Sequence, residues 1–180
     1  MNAPGYYFMK MHQERSYVIA LENADNVNGM YIDVEKNGCS FRNYKDLLLL
    51  GAIDQRTGEN EKGGCYDKLR KIAKDLYPNS KEKYHWSAQD CMTIDKIPYI
   101  GKYSDKTPNI YVATGFNKWG MTSSMVSAMI ISDMILDKEN DFSEIFSPKR
   151  FDLSLSIGNI ANDMIETAKN FIAQKIYIPS

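Results

Sequence analysis

The densest run of chemistry-bearing residues is Thr114-Gly115-Phe116-Asn117-Lys118-Trp119-Gly120-Met121-Thr122-Ser123-Ser124. It lies between a β-rich run, Ile110 to Thr114, and a stretch of helical periodicity that begins near Thr122 or Ser123. Gly115 and Gly120 let the backbone turn sharply and approach a ligand closely. The helix that follows aims unpaired N–H groups, and the positive end of its dipole, at whatever fills the turn. Thr122, Ser123 and Ser124 can cap the helix end or offer hydroxyls to a bound group. An anion or an electron-rich heterocycle suits such a place. Many strand–turn–helix joints carry glycines for steric reasons alone, so spacing by itself leaves both readings open.

A second informative stretch runs from Trp86 to Gly101. Its polar cluster, Ser87-Ala88-Gln89-Asp90, leads into Asp95-x-x-Pro98-x-x-Gly101, which predicts a turn that presents side chains from a loop. Without a ligand the same residues make a connector, with Asp95 capping the turn and Pro98 stiffening it. Elsewhere the inventory is sparse. The histidines are His12, predicted in a solvated turn, and His85, either a proton carrier or a hydrogen-bonded structural residue. Cys39, Cys65 and Cys91 form no Cys-x-x-Cys pair, which argues against zinc, an iron–sulfur cluster and a disulfide framework. Cys91 has no adjacent basic residue to lower its pKa. No nucleophile, base and orienting group fall into a hydrolase or thiol-enzyme arrangement.

These residues need elements to hold them. Tyr6–Met11 and Ser16–Leu21 read as strands joined by a polar link, His12-Gln13-Glu14-Arg15. Met30–Val34 and Cys39–Arg42 read as strands with Lys36-Asn37-Gly38 as the hairpin turn between them. Asp46–Gly51 suits a strand buried on both faces. Apolar residues at Tyr66, Leu69, Ile72, Ala73, Leu76 and Tyr77 keep helical spacing, and Pro78 ends that run. Tyr84–Ala88 predicts a further strand. Met125, Met129, Ile130 and Met134 are spaced for burial on the helix after Gly120, where a methionine stripe including Met121 reads as core. That helix fades at Asp137-Lys138-Glu139-Asn140. Ile157 to Ile172 carries an apolar stripe of a third helix. The order, strands first and then a mixture, predicts an α+β fold.

Together and in this order, the two stretches resemble the C-terminal part of FAD-dependent oxidoreductases of the D-amino-acid oxidase, glycine oxidase and sarcosine oxidase family. The likeness rests on Trp86, Asp95, Pro98, Gly101, the strand Ile110–Thr114, and Gly115, Phe116 and Gly120. It extends over roughly residues 5 to 150. The forms Trp-Ser-Ala-Gln-Asp and Gly-Phe-Asn-Lys-Trp-Gly-Met-Thr are similar to a subgroup whose members often end in a Rieske domain.

The resemblance implies an antiparallel substrate-binding sheet with its helix over residues 1–85, the C-terminal strand–turn–helix part of an FAD-binding domain over 86–150, and a helical connector over 151–180. It places Gly115, Phe116, Asn117, Lys118, Trp119, Gly120, Met121 and Thr122 against the flavin. Helix N–H groups then stabilise negative charge at the pyrimidine end of the ring. Lys118 would add positive charge or remain solvated, and Trp119 would cover the ring or pack in the core. The arginine that grips a substrate carboxylate in amino-acid oxidases of this family is replaced by Asp90, which favours a cationic amine or serves as a structural acceptor. Arg42 is a candidate for the missing positive group. The Gly-x-Gly-x-x-Gly fingerprint that seats the FAD pyrophosphate is absent. So are the two Cys-plus-His pairs a Rieske cluster needs. The expectation is a fragment whose parent oxidises the C–N bond of an amine or amino acid, and which binds FAD weakly or not at all without its N-terminal half. The alternative is an autonomous, non-catalytic binding or interaction domain derived from that fold.

Composition agrees with a folded domain. Hydrophobic residues make up 43% and charged residues 25% of the 180, with a net charge of −1. No bulk field draws in nucleic acid, and no apolar run reaches the ~18 residues of a membrane span. Without a basic, then apolar leader the expected location is the cytoplasm. A homo-oligomer is one option for the apolar tail.

Overall fold

In the computed structural model, residues 7, 10–35, 38–58 and 63–150 are described. The expected third helix lies outside them, as do Tyr6, Phe8 and Met9 of the first expected strand and Lys36-Asn37 of the expected turn. The elements are β1 (Met11–Glu22), β2 (Met30–Ile32), β3 (Ser40–Tyr44), β4 (Leu47–Arg56), α1 (Cys65–Leu76), β5 (Lys81–Thr93), β6 (Tyr99–Lys102), β7 (Tyr111–Thr114) and α2 (Gly120–Ile135). They form a five-stranded sheet of order β2-β3-β4-β1-β5 and a two-stranded sheet of β6 and β7. The fold is α+β, and β1 with β4, β2 with β3, β3 with β4 and β6 with β7 pair antiparallel. Two compact units divide the chain, one of residues 14–89 and one of 1–13 with 90–180.

In the unit of residues 14–89, alternation dictates the core. Tyr17, Ile19 and Leu21 of β1 lie opposite Ala52, Leu50 and Leu48 of β4. These six residues and Cys65, Leu69 and Ala73, which share one face of α1, make one buried cluster. A buried leucine or isoleucine here contributes about 1.5–3 kcal/mol. Leu49 and Ala20, on the opposite face of the sheet, are buried too, so β4 is apolar on both faces as its sequence predicts. Gly64, at φ 80°, precedes α1 and Tyr77 closes it, with Pro78 next in the chain.

In the other unit, β6 and β7 pair from Tyr99↔Thr114 to Lys102↔Tyr111, and α2 packs on both. Tyr99, Ile100 and Ile130 are buried. The segment after α2 returns to this sheet, where the Ile100 N–H donates to the Phe146 carbonyl at 2.8 Å. Lys10 donates to the Pro148 carbonyl at 3.2 Å and lies 5.6 Å from the Tyr99 ring centroid. Burial, and then the nearby charge of Arg150, hold its ammonium below the usual lysine range.

Several sequence expectations require correction. His12–Arg15 is no link but the first part of one continuous strand, β1, in which Glu14 and Arg15 pair with Arg56 and Gln55. A bulge follows at Ser16, between Arg15 and Tyr17. β5 extends well beyond Tyr84–Ala88 in both directions. The predicted loop from Asp95 to Gly101 ends in a strand, β6, because β7 offers it a partner. α2 begins at Gly120, and its buried face is Ser123, Ser127 and Ile130. Met121, Met125 and Met129 lie exposed on the opposite side.

Candidate functional site

The turn between β7 and α2 gathers most of the residues that the sequence singles out. Gly115 is buried at φ 71°, and a Cβ on it would sit 2.3 Å from Thr93 Cγ2 and 3.2 Å from Met11 Sδ. Backbone sign and packing each demand glycine there. Asn117 and Lys118 follow at φ 49° and 70°, left-handed conformations that asparagine tolerates better than most residues. The Asn117 side chain fixes this shape. Its Oδ1 accepts from the Thr93 N–H at 2.8 Å, and its Nδ2 donates to the Gly115 carbonyl at 2.8 Å and to Thr93 Oγ1 at 3.1 Å. The Asn117 N–H donates to the Cys91 carbonyl at 3.3 Å. Thr93, only 2% exposed, thereby pins the turn to the end of β5.

Beyond the turn, the Trp119 N–H donates to the Phe116 carbonyl at 2.8 Å, and the Ser123 N–H donates to the Trp119 carbonyl at 2.9 Å. Trp119 is thus the N-cap of α2, and no side chain caps the helix. The hydroxyls expected to do so face the other way. Thr122 Oγ1 donates to the Trp119 carbonyl at 3.2 Å and Ser124 Oγ to the Met121 carbonyl at 2.7 Å. Ser127 Oγ donates to the Ser123 carbonyl at 2.7 Å. These bonds run back to the preceding turn. The helix therefore offers no internal acceptor to the N–H groups of Gly120, Met121 and Thr122, where its dipole is positive. All three residues are exposed, as are Lys118 and Trp119, the latter by 62%. Among the described residues, its chain neighbours and its own helix backbone aside, no atom lies within 4 Å of where a Gly120 Cβ would be. Glycine is a poor helix former, and among the described residues nothing in the packing requires it at this position.

The remaining candidates are dispersed. Asp90 is half-buried on β5, three residues before Thr93. Arg42 is exposed on β3, opposite Met30 of β2 and Leu49 of β4, and belongs to the other unit. His85 Nδ1 lies 2.8 Å from Glu82 Oε1, and its ring meets Tyr66 edge-on at 4.7 Å. Those partners fit the structural reading of His85. Phe116 and Cys91 are half-buried. Sequence reasoning missed Thr93, whose partnership with Asn117 spans 24 positions. The left-handed tolerance of Asn117 was the one local signal available.

A buried glycine turn thus leads from β7 into α2, a helix without a side-chain cap, within an α+β fold. Residues 1–134 match the family described as "FAD dependent oxidoreductase", DAO, and the chain belongs to that family. A relative from Bacillus subtilis (strain 168), named "Putative Rieske 2Fe-2S iron-sulfur protein YhfW", is 37% identical over 97% of this chain and 36% of its own length. Glycine oxidase from Geobacillus kaustophilus superposes with a TM-score of 0.66 at 21% identity, over 79% of this chain and 40% of its own. L-proline dehydrogenase from P. horikoshii gives 0.65 at 16% identity, over 79% and 41%. L-amino acid deaminase from Proteus vulgaris gives 0.57 at 22% identity, over 79% and 37%. The chain thus shares the fold of these proteins and spans well under half the length of each.

The turn fits the group that the family implies. A planar ring needs an approach free of side chains, which the open space at Gly120 provides. It also needs donors for charge developing on it, which the first N–H groups of α2 supply.

Proposed function

We propose that this chain is the C-terminal part of an FAD-dependent enzyme that oxidises the C–N bond of an amine or amino acid, with the Gly115–Thr122 turn lying against the flavin. The observation that carries this reading is Gly120, a glycine with open space beside it at the uncapped start of α2. The named activities of the fold neighbours, glycine oxidase, L-proline dehydrogenase and L-amino acid deaminase, support a small amine or amino acid as substrate. A bound flavin would supply the redox chemistry, as acceptor of the hydride equivalent from the carbon next to nitrogen. The N–H groups of Gly120, Met121 and Thr122 stabilise negative charge on the ring. Trp119 covers it, Lys118 adds positive charge nearby, and Asn117 with Thr93 holds the turn in register. Arg42 and Asp90 are the candidates for substrate recognition, the arginine suiting a carboxylate and the aspartate a cationic amine.

On this reading residues 1–85 serve the substrate side and 86–150 the flavin side, and the rest of the flavin-binding half comes from outside these 180 residues. The exposed face of α2 supports that. No charged residue occurs from Gly120 through Ser132, yet Met121 is 86% exposed and Met125, Met129, Ile135 and Leu136 are exposed as well. A helix that is apolar all round belongs in a core. Without that half, the chain binds FAD weakly or not at all. Cys39, Cys65 and Cys91 form no disulfide among the described residues, which supports a reducing compartment such as the cytoplasm.

Gly120→Val in the whole flavoprotein is the test. It should cut FAD retention by about tenfold or more, since a β-branched side chain fills the approach, with circular dichroism and the Tm of the flavin-free protein unchanged. Unaltered flavin content would remove the turn from the flavin site.

A further inference from the structure

Arg150 lies beyond the segment that matches the family, yet it commits its guanidinium to the loop between β5 and β6. Its Nε donates to Asp95 Oδ2 at 2.9 Å and its Nη2 to Asp95 Oδ1 at 3.2 Å. Its Nη1 donates to the Pro98 carbonyl at 2.8 Å and to the Ser147 carbonyl at 3.3 Å, and Nη2 also donates to the Ile97 carbonyl. The guanidinium lies 4.2 Å from the Tyr99 ring centroid, and the side chain is 17% exposed. A lysine cannot reproduce this set. Its ammonium is a point charge, without the planar fork that grips a carboxylate and stacks on a ring at the same time.

The loop so gripped starts one residue after Thr93. Within it the Ile97 N–H donates to Asp95 Oδ1 at 3.1 Å and the Lys96 N–H to the Thr93 carbonyl at 3.3 Å. Thr93 is therefore held from two sides, through Asp95 by Arg150 and directly by Asn117 of the glycine turn. We infer that Arg150 is a positioning residue for the flavin turn: it fixes the β5–β6 loop so that Thr93 meets Asn117 and Gly115 in one geometry. This rests on the placement of the flavin proposed above. Side chains joined in one hydrogen-bond network couple energetically, and independent ones do not.

The experiment is a double-mutant cycle in the whole flavoprotein, with Arg150→Lys, Asn117→Ala and the pair. FAD dissociation constants are read by fluorescence titration and the flavin absorption spectrum is recorded alongside. Each single variant should weaken FAD binding by about tenfold, and the pair by little more than either alone, within the coupling seen for contacting networks. The flavin spectrum should shift in the same direction in all three. If Arg150→Lys lowers Tm while leaving FAD affinity and spectrum in place, its role is structural and the inference is overturned. Losses that simply multiply in the pair overturn it too, because Arg150 would then act by a separate route. An Asn117→Ala variant with unchanged FAD binding sinks the turn assignment itself, and this inference with it. Should Arg150→Lys not fold, Asp95→Asn, which keeps the size and removes the charge, takes its place in the cycle with the same expectations.

Discussion

Gly115 and Gly120 look alike in sequence and differ in what they do. A methyl at Gly115 would meet Thr93 Cγ2 at 2.3 Å on a backbone of φ 71°. The left-handed conformation costs about 1–2 kcal/mol and the overpacking about 1–3 kcal/mol. Gly115→Ala should therefore lower unfolding stability by about 2–5 kcal/mol, read from urea transitions. Thr93→Ser, which removes the offending methyl, should recover only the packing share in the double variant. Gly120→Ala meets open space and should leave stability unchanged or raised by up to about 1 kcal/mol. Spacing alone could not separate these residues, because the difference lies in a methyl group contributed by a strand end 22 positions earlier. For the same reason Asn117 stood among the ligand-facing candidates, whereas its side chain is occupied by Thr93 and Gly115.

Element by element, periodicity identified what local sequence controls. The spacing of α1 and the double-faced burial of β4 follow from residue pattern. The limits of β1, β5 and β6 do not, since a polar stretch such as His12–Arg15 becomes strand only when a partner such as β4 supplies hydrogen bonds. The buried face of α2 differs from the expected one for a related reason: serines close-pack against β6 and β7 more easily than methionines do, and the Ser127 hydroxyl is satisfied by the Ser123 carbonyl of the helix itself. α1 and β5 are joined by Arg70, whose Nε and Nη2 bond Glu82 at 2.7 and 3.1 Å. Hydrogen bonding to Arg70 holds the Glu82 carboxyl below the usual glutamate range. A depressed carboxylate stabilises the fold fully above its unfolded pKa of about 4.3, and the contribution is lost as pH falls through the lower folded value. Glu82→Gln should thus lose about 0.5–1 kcal/mol near neutrality, the scale of a solvent-accessible ion pair. Its stability should converge on the parent's in acid, as thermal unfolding across pH 2–7 would reveal.

At the scale of the whole molecule, α2 presents an apolar face that is exposed among the described residues. The chain on its own is expected to self-associate through it, and Met125→Lys with Met129→Lys should return it to monomer in sedimentation velocity. The same pair in the flavoprotein should impair flavin loading. A monomeric parent chain would overturn the assignment of that face. The sequence motifs made the family legible over most of the chain, but not the long-range ties, Thr93 to Asn117 and Asp95 to Arg150, that give those motifs their shape. The boundary between the two units falls between Gln13 and Glu14 and again between Gln89 and Asp90, inside β1 and at the middle of the second half of β5. A protease must draw several residues of unpaired chain into its cleft, and neither crossing supplies them. Limited digestion will nick the turns and leave the units joined, and any chimera that exchanges one unit must be spliced within two strands at once.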